Sequence, residues 1–230
     1  MRGMAISGSG EGKKFISMEE YKKQIIEKTN IEPYLGTLNL KVEKSLIDDL
    51  KKVEGILIKG FSKDGITYGN VKCFLIDIRK IDAAVLLPEK SKYRDVVEII
   101  ASESLRKKLA IKDGDSVEFQ FKPFIKEEKL SLYAKPFIGG KEGNVTIYYD
   151  SPFIEGRRDL CYFRKNKNSY RKSLYSKNIA SIIFEDNEKD AYEKLMKWIK
   201  ERGYAIMSPV RKVRYKKLNE WQMEVKISRN

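Results

Sequence analysis

A chain of 230 residues with 41% hydrophobic and 11% aromatic side chains has material for a core and is too apolar for a disordered polymer. It has no histidine and two cysteines, Cys73 and Cys161, which excludes Ser-His-Asp and Cys-His nucleophile chemistry, a disulfide framework and a zinc pattern. Both cysteines read as buried small residues. The net charge of +14 is uneven: residues 1–124 carry 23 Lys/Arg against 19 Asp/Glu (+4), and residues 125–230 carry 24 against 14 (+10). Nucleotide phosphates suit the first half, while the second half reads either as a surface for an anion or as a Lys-rich solvated face. The longest apolar runs, such as 83–87, are far too short to cross a bilayer. Met1 is not followed by a basic stretch and an apolar run, so no signal peptide or membrane association is expected, and the expected location is cytoplasmic.

Along the chain, short β-branched or alternating stretches predict strands over 4–7, 37–42, 53–59, 71–78 and 83–87, and over 116–121 after the turn signal Asp113-Gly114-Asp115. Two helices are expected among them. Residues 18–28 place Tyr21, Ile25 and Ile26 at helical spacing behind a possible Ser17/Glu20 capping box. Residues 95–109 place Val96, Ile99, Ile100 and Leu105 on one helical face. Long helices do not alternate with the strands, which favours a barrel of about six strands over a doubly wound sheet.

Lys122-Pro123-Phe124 predicts a domain boundary, followed by a charged connector over 125–129. Strands are then expected over 130–135, 144–149, 160–163 and 179–185, with a basic loop at 164–177. That loop, with Tyr170 and Tyr175 interleaved, reads as a solvated loop or a nucleic-acid-tracking one; no recognition helix accompanies it. A helix over 190–202 carries Ala191, Leu195, Trp198 and Ile199 on its apolar stripe and stops at Gly203. Strands over 204–207, 210–215 and 221–227 complete a smaller α+β domain.

Two segments carry candidate chemistry. Gly8-Ser9-Gly10-Glu11-Gly12-Lys13 follows the first strand, and its alternating glycines free backbone N–H groups to face phosphate oxygens. On local pattern alone the segment reads first as a plain hairpin turn, and the spacing is not that of a Walker A loop. In the strand of Gly36-Thr37-Leu38-Asn39, Thr37 and Asn39 project to one face, offering two hard oxygen donors of the kind Mg²⁺ takes. Two polar residues on a wet strand face would look the same.

The segments GSGEGKKF, EPYLGTLNLKV, DAAVLLPEKSKY, VVEIIASESLRKKL and IKDGDSVEF occur in order, and with these motifs residues 2–122 resemble the archaeal CTP-dependent riboflavin kinases. The resemblance implies a six-stranded cradle-loop β-barrel with short helices over 1–124 that transfers the γ-phosphate of CTP to the 5′-hydroxyl of riboflavin, giving FMN and CDP. It implies Mg²⁺ on Thr37 and Asn39. It places the nucleotide on Gly8, Ser9, Gly10, Glu11, Gly12 and Lys13 and on Glu103, Ser104, Leu105 and Arg106, and the flavin on Ser91 and Glu98. Glu98 is also the carboxylate nominated for the ribityl hydroxyl, as an acceptor rather than a base. Lys13 stands where the family has Arg, Ala101-Ser102 where it has Ala-Pro, and Glu103-Ser104 where an apolar-basic pair is usual. Between Pro88 and Glu98 the chain is one residue short of the family pattern.

Residues 125–230 weakly resemble a gyrase-inhibitor-like effector-binding domain through Asp150-Ser151-Pro152, the helix ending Trp198-Ile199 before Gly203, and Pro209 to Tyr215. Lys212 stands where that family has Glu. The alternative from another class is a non-catalytic flavin- or nucleotide-sensing regulator whose basic second half contacts another partner. The sequence leaves oligomeric state open.

Overall fold

In the computed structural model, which describes every residue except 9, 92, 137–144, 150–158, 164–169, 209, 216–220 and 230, the chain divides into the units Met1–Lys122 and Pro123–Asn230. The architecture is mainly β, with antiparallel sheets and a few mostly short helices. The first unit runs β1 (Arg2–Ile6), α1 (Glu11–Ile16), α2 (Glu19–Thr29), β2 (Leu38–Lys41), α3 (Lys44–Lys52), β3 (Ile56–Ile58), β4 (Ser62–Lys63), β5 (Ile66–Thr67), β6 (Val71–Ile78), β7 (Ile81–Pro88), β8 (Val96–Ala101), α4 (Leu105–Lys108), β9 (Ser116–Glu118) and β10 (Gln120–Phe121). Its main sheet has the order β10-β6-β7-β8-β2-β1-β9 with β3 beside β6, while β4 and β5 form a separate hairpin.

The two ends of that order are pieces of one segment, since only Phe119 separates β9 from β10. The Phe119 ring is buried and its backbone exchanges hydrogen bonds with Met1. β6 and β7 supply much of the core: Phe74, Ile76, Val85 and Leu86 are all buried, each contributing roughly 1.5–3 kcal/mol of transfer free energy. The two strands are joined by Arg79-Lys80, both at positive φ (50° and 67°), as a two-residue hairpin with right-handed strand twist requires. Lys80 N–H donates to Asp77 Oδ1 (2.9 Å) and helps hold this uncommon backbone.

The helix expected over 95–109 is corrected. Val96–Ala101 is a strand between β2 and β7, and only Leu105–Lys108 is helical. Val96, Val97, Ile99 and Ile100 satisfy helical spacing and β propensity alike, and pairing on both sides decides for the strand. Two helices escaped the sequence reading, α1 and α3; the latter buries Leu46, Ile47 and Leu50. The Ser17/Glu20 capping box does not form either. Met18 occupies the cap position of α2, and Ser17 Oγ donates backward to the Lys14 carbonyl (2.7 Å).

The second unit runs β11 (Phe124–Pro136), β12 (Val145–Tyr149), β13 (Asp159–Phe163), β14 (Tyr170–Phe184), α5 (Glu188–Glu201), β15 (Tyr204–Ile206), β16 (Arg211–Tyr215) and β17 (Trp221–Arg229). The pairing path β14-β11-β13-β12-β16-β17 returns to its start through β14–β17, and β15 extends from β17. The connector expected at 125–129 is part of β11, and 170–177 of the expected basic loop is strand in β14. Both are long strands paired with each other, so charged stretches that read as loop are held by backbone pairing. The remaining loop positions, 164–169, lie outside the described residues, as does Asp150-Ser151-Pro152.

α5 begins at Asn187, whose side chain accepts from Asp190 N–H (3.0 Å), and ends before Gly203 at φ 67°. It lays Ala191, Leu195 and Ile199 on Ala180, Ile182, Met223 and Val225, with Tyr192 and Trp198 packed at the rim. Register gives Ser181 and Glu224 the opposite sheet face, where a buried polar layer lies. There Glu224 is ion-paired with Lys126 and with Arg211 (2.6 Å).

Candidate active site

The site begins where β1 ends. Register sets Ile6 opposite Asn39, so the glycine segment leaves β1 directly above the polar end of β2. A Cβ on Gly8 would stand 1.7 Å from Asn39 Nδ2, and one on Gly12 would stand 2.7 Å from Thr37 Oγ1 and 3.2 Å from Glu98 Oε1. Glycine is required at both positions because the backbone lies against these side chains. Gly10, at φ 82°, supplies the left-handed residue that turns the segment into α1. Ser9, and the side chain of Glu11, lie outside the described residues.

Thr37 Oγ1 donates to Asn39 Oδ1 at 3.3 Å, so the two oxygens converge as the alternation expects. Asn39 is itself 7% exposed. On its other side β8 sets Glu98 directly across from Asn39, as a cross-strand neighbour on the same face. Gly8, Gly12, Thr37, Asn39 and Glu98 are therefore one constellation. Two neutral oxygen donors are of the kind that fit a Mg²⁺ ion arriving on a nucleotide. Among the described residues, no group of three or more His, Cys, Asp or Glu is placed to hold a metal.

Glu98 also lines a cleft of about 440 Å³, together with Ser91, Phe15, Tyr21, Tyr68 and Lys90. That volume is of the size that encloses one organic ligand. Phe15 stacks on Tyr21 (centroids 4.0 Å apart), and Tyr68 meets Tyr21 edge-on at 6.5 Å. Tyr21 Oη donates to the Gly69 carbonyl (2.6 Å); burial raises its pKa above the ordinary value, and the neighbouring Tyr68 and Glu89 push the same way. Ser91 sits in the turn after β7, where its Oγ accepts from Tyr93 N–H (3.2 Å). The structure thus brings Ser91 and Glu98 to one cleft. The aromatic wall was not among the expected site residues, although Phe15 stands in the same GKKF stretch as the glycines.

The second expected nucleotide segment is placed by structural bonds. Ser104 Oγ caps α4 by accepting from Lys107 N–H (3.4 Å), Leu105 is buried, and Glu103 pairs with Lys108 (3.3 Å). Arg106 donates to the Ile6 carbonyl (2.6 Å) and pairs with Asp113 (2.7 Å), while Ser7 Oγ also donates to Asp113. Those bonds, first from Ser7 and then from Arg106, hold the Asp113 carboxyl below the ordinary carboxylate range. Arg106 and Asp113 therefore clamp the root of the glycine segment. Asp113 was read in sequence only as part of a turn. Lys13 is exposed at the end of the same segment. Tyr34 N–H donates to the Ala101 carbonyl (2.8 Å), drawing the approach to Thr37 beside residues 101–106.

This arrangement defines a class: a small β protein in which glycine backbone covers an oxygen-donor pair at the rim of an aromatic cleft. Residues 5–121, 117 of 230, match the profile of the family described as CTP-dep_RFKase, domain of unknown function DUF120, and the chain belongs to that family. It is 44% identical over 123 residues to a riboflavin kinase of Thermoplasma volcanium, covering 52% of this chain and 56% of that protein. It is 40% identical over 121 residues to a riboflavin kinase of Thermoplasma acidophilum (51% and 55%), and 40% over 124 residues to one of Archaeoglobus fulgidus (52% and 53%). The chain spans little more than half the length of these curated relatives. The family profile ends at residue 121, so the gyrase-inhibitor-like resemblance of the second half draws no support from it. Among the described residues the second unit holds the single helix α5 and a returning path of antiparallel strands. No helix among the described residues is long and apolar enough to cross a membrane.

Proposed function

We propose that the first unit is a CTP-dependent riboflavin kinase that transfers the γ-phosphate of CTP to the riboflavin 5′-hydroxyl, releasing FMN and CDP. The observation that carries this is the position of Gly8 and Gly12 against Thr37, Asn39 and Glu98 at the edge of the aromatic cleft. Donor phosphates bind under the backbone N–H groups of the segment from Gly8 to Lys13, and riboflavin occupies the cleft with its ribityl chain toward Glu98 and Ser91. Thr37 and Asn39 would hold Mg²⁺, which would supply charge neutralisation for the transferring phosphoryl group. Glu98 accepts a hydrogen bond from the attacking hydroxyl and orients it, and positioning with charge neutralisation does most of the catalysis. We further infer that the sheet closes as a six-stranded barrel, because β9 and β10 are one segment pairing with both ends.

The domain assignment goes with this reading: 1–124 for catalysis and 125–230 as a basic accessory domain. The cytidine preference is supported by the family. Glu103 and Ser104 depart from its pattern, yet both have local structural partners in Lys108 and the α4 cap. The test is incubation of the full chain with riboflavin, Mg²⁺ and either CTP or ATP, with FMN as readout. FMN formed from CTP in preference to ATP supports the proposal. Tight flavin binding without FMN from any nucleotide overturns it and favours a flavin-sensing regulator.

A further inference from the structure

The short helix α1 belongs to both halves of the site. Gly12, at its start, is pressed on Thr37 and Glu98, the residues to which the kinase reading assigns the metal and the ribityl chain. One turn later Phe15 lines the aromatic cleft and stacks on Tyr21 at 4.0 Å. Phe15 and Ile16 are the ring and the anchor of this helix, since Ile16 is fully buried while Lys13 and Lys14 face solvent. A six-residue helix entered through a left-handed glycine, with no side-chain cap, has little stability of its own. Whatever orders one end of it orders the other.

We propose that Phe15 is a positioning residue that couples the two substrates: riboflavin packing on Phe15 orders α1 and thereby the glycine segment that receives the nucleotide, and nucleotide binding preorders Phe15 for riboflavin. This inference rests on the kinase reading above. When two ligands order the same segment, the ordering cost falls only on the first to bind, which gives positive coupling without a large structural change. The coupling is reciprocal, so each ligand tightens the other by the same factor.

The experiment measures CDP affinity in the presence of Mg²⁺, with and without saturating riboflavin, on the full chain. CDP and riboflavin form no product together, so binding is read without turnover. In the wild-type chain riboflavin tightens CDP by about tenfold, and CDP tightens riboflavin equally. Phe15→Leu, which keeps an apolar side chain on the helix, brings this ratio below about twofold; Phe15→Tyr, which keeps the ring, retains it. A ring that merely packed the cleft would lower riboflavin affinity and leave the ratio alone. An unchanged ratio in a folded Phe15→Leu chain overturns the inference. So does a wild-type chain that binds both ligands without coupling, even if it makes FMN. A wild-type chain that binds neither ligand overturns the kinase reading and this inference together.

Discussion

Gly12 lies so close to Thr37 that a methyl group in place of its hydrogen would come within 2.7 Å of the Thr37 hydroxyl oxygen. Thr37 in turn donates to Asn39, whose amide sits under Gly8. Backbone and donor pair are therefore a matched surface, and a single carbon atom added from above separates them.

Gly12→Ala and Gly8→Ala are expected to lower kcat/KM for FMN formation by roughly 100-fold, the effect of misplacing reacting groups by about 1 Å. Thermal unfolding should shift little, because Thr37 and Asn39 move at their side-chain ends and the β1–β2 pairing stays. Wild-type turnover in either variant would show that the segment does not need to approach so closely.

Thr37→Val keeps the shape of the side chain and removes one oxygen donor; Asn39→Leu removes the other. Each is expected to cut turnover by roughly 100-fold or more, since the charge stabilisation supplied by a bound divalent ion is worth several kcal/mol. Excess Mg²⁺ should partly rescue Thr37→Val. Chelation should abolish wild-type turnover and leave flavin binding in place. Activity that persists in chelator would remove the metal assignment.

Much of this site was legible because its residues are local in sequence. Thr37 immediately precedes β2 and Asn39 lies within it, two residues apart, and the glycines follow a strand end, so alternation and turn chemistry suffice. Glu98 was named by resemblance but set on a helix, and that error hid its most informative relation. As the centre of β8 it stands across from Asn39, a contact between residues 59 positions apart that no local pattern encodes. Tyr21 and Asp113 are further cases: each has an ordinary local reading, as helix core and as turn, and acquires its role only when distant segments meet. In the second unit, Lys126 reads locally as part of a charged connector. It is buried because pairing of β11 with β14 turns it onto Glu224.

Glu98→Gln separates an orienting acceptor from a base. The amide keeps an oxygen that accepts from the riboflavin hydroxyl, and loss of a charged hydrogen bond costs about 1.5–3 kcal/mol. The expected outcome is a rise of roughly tenfold in KM for riboflavin with a smaller change in kcat. Loss of a general base would instead lower kcat by about 10²–10⁴-fold. A kcat collapse together with loss of the acidic limb of the pH profile would overturn the acceptor role.

Glu224 gives the second unit a defined response to acid. Burial alone would raise its pKa, but Lys126 and Arg211 together outweigh burial and hold it below the ordinary 4.5. A carboxylate whose folded pKa is depressed contributes stability that is fully present above its unfolded value and is lost as pH falls through the folded one. The second unit should therefore keep its melting temperature from neutrality down to about pH 5 and lose it progressively below pH 4.5. Both tryptophans, Trp198 and Trp221, lie in this unit, so tryptophan fluorescence follows it selectively. Glu224→Gln leaves the buried Lys126 and the partly buried Arg211 beside a neutral amide, which is expected to cost about 3–5 kcal/mol at pH 7. The same variant should flatten the dependence below pH 4.5, because the group that titrates there is gone. A Glu224→Gln chain that is as stable as wild type at pH 7, with an unchanged acid transition, would show that other carboxylates govern the acid response and that this buried layer contributes nothing measurable.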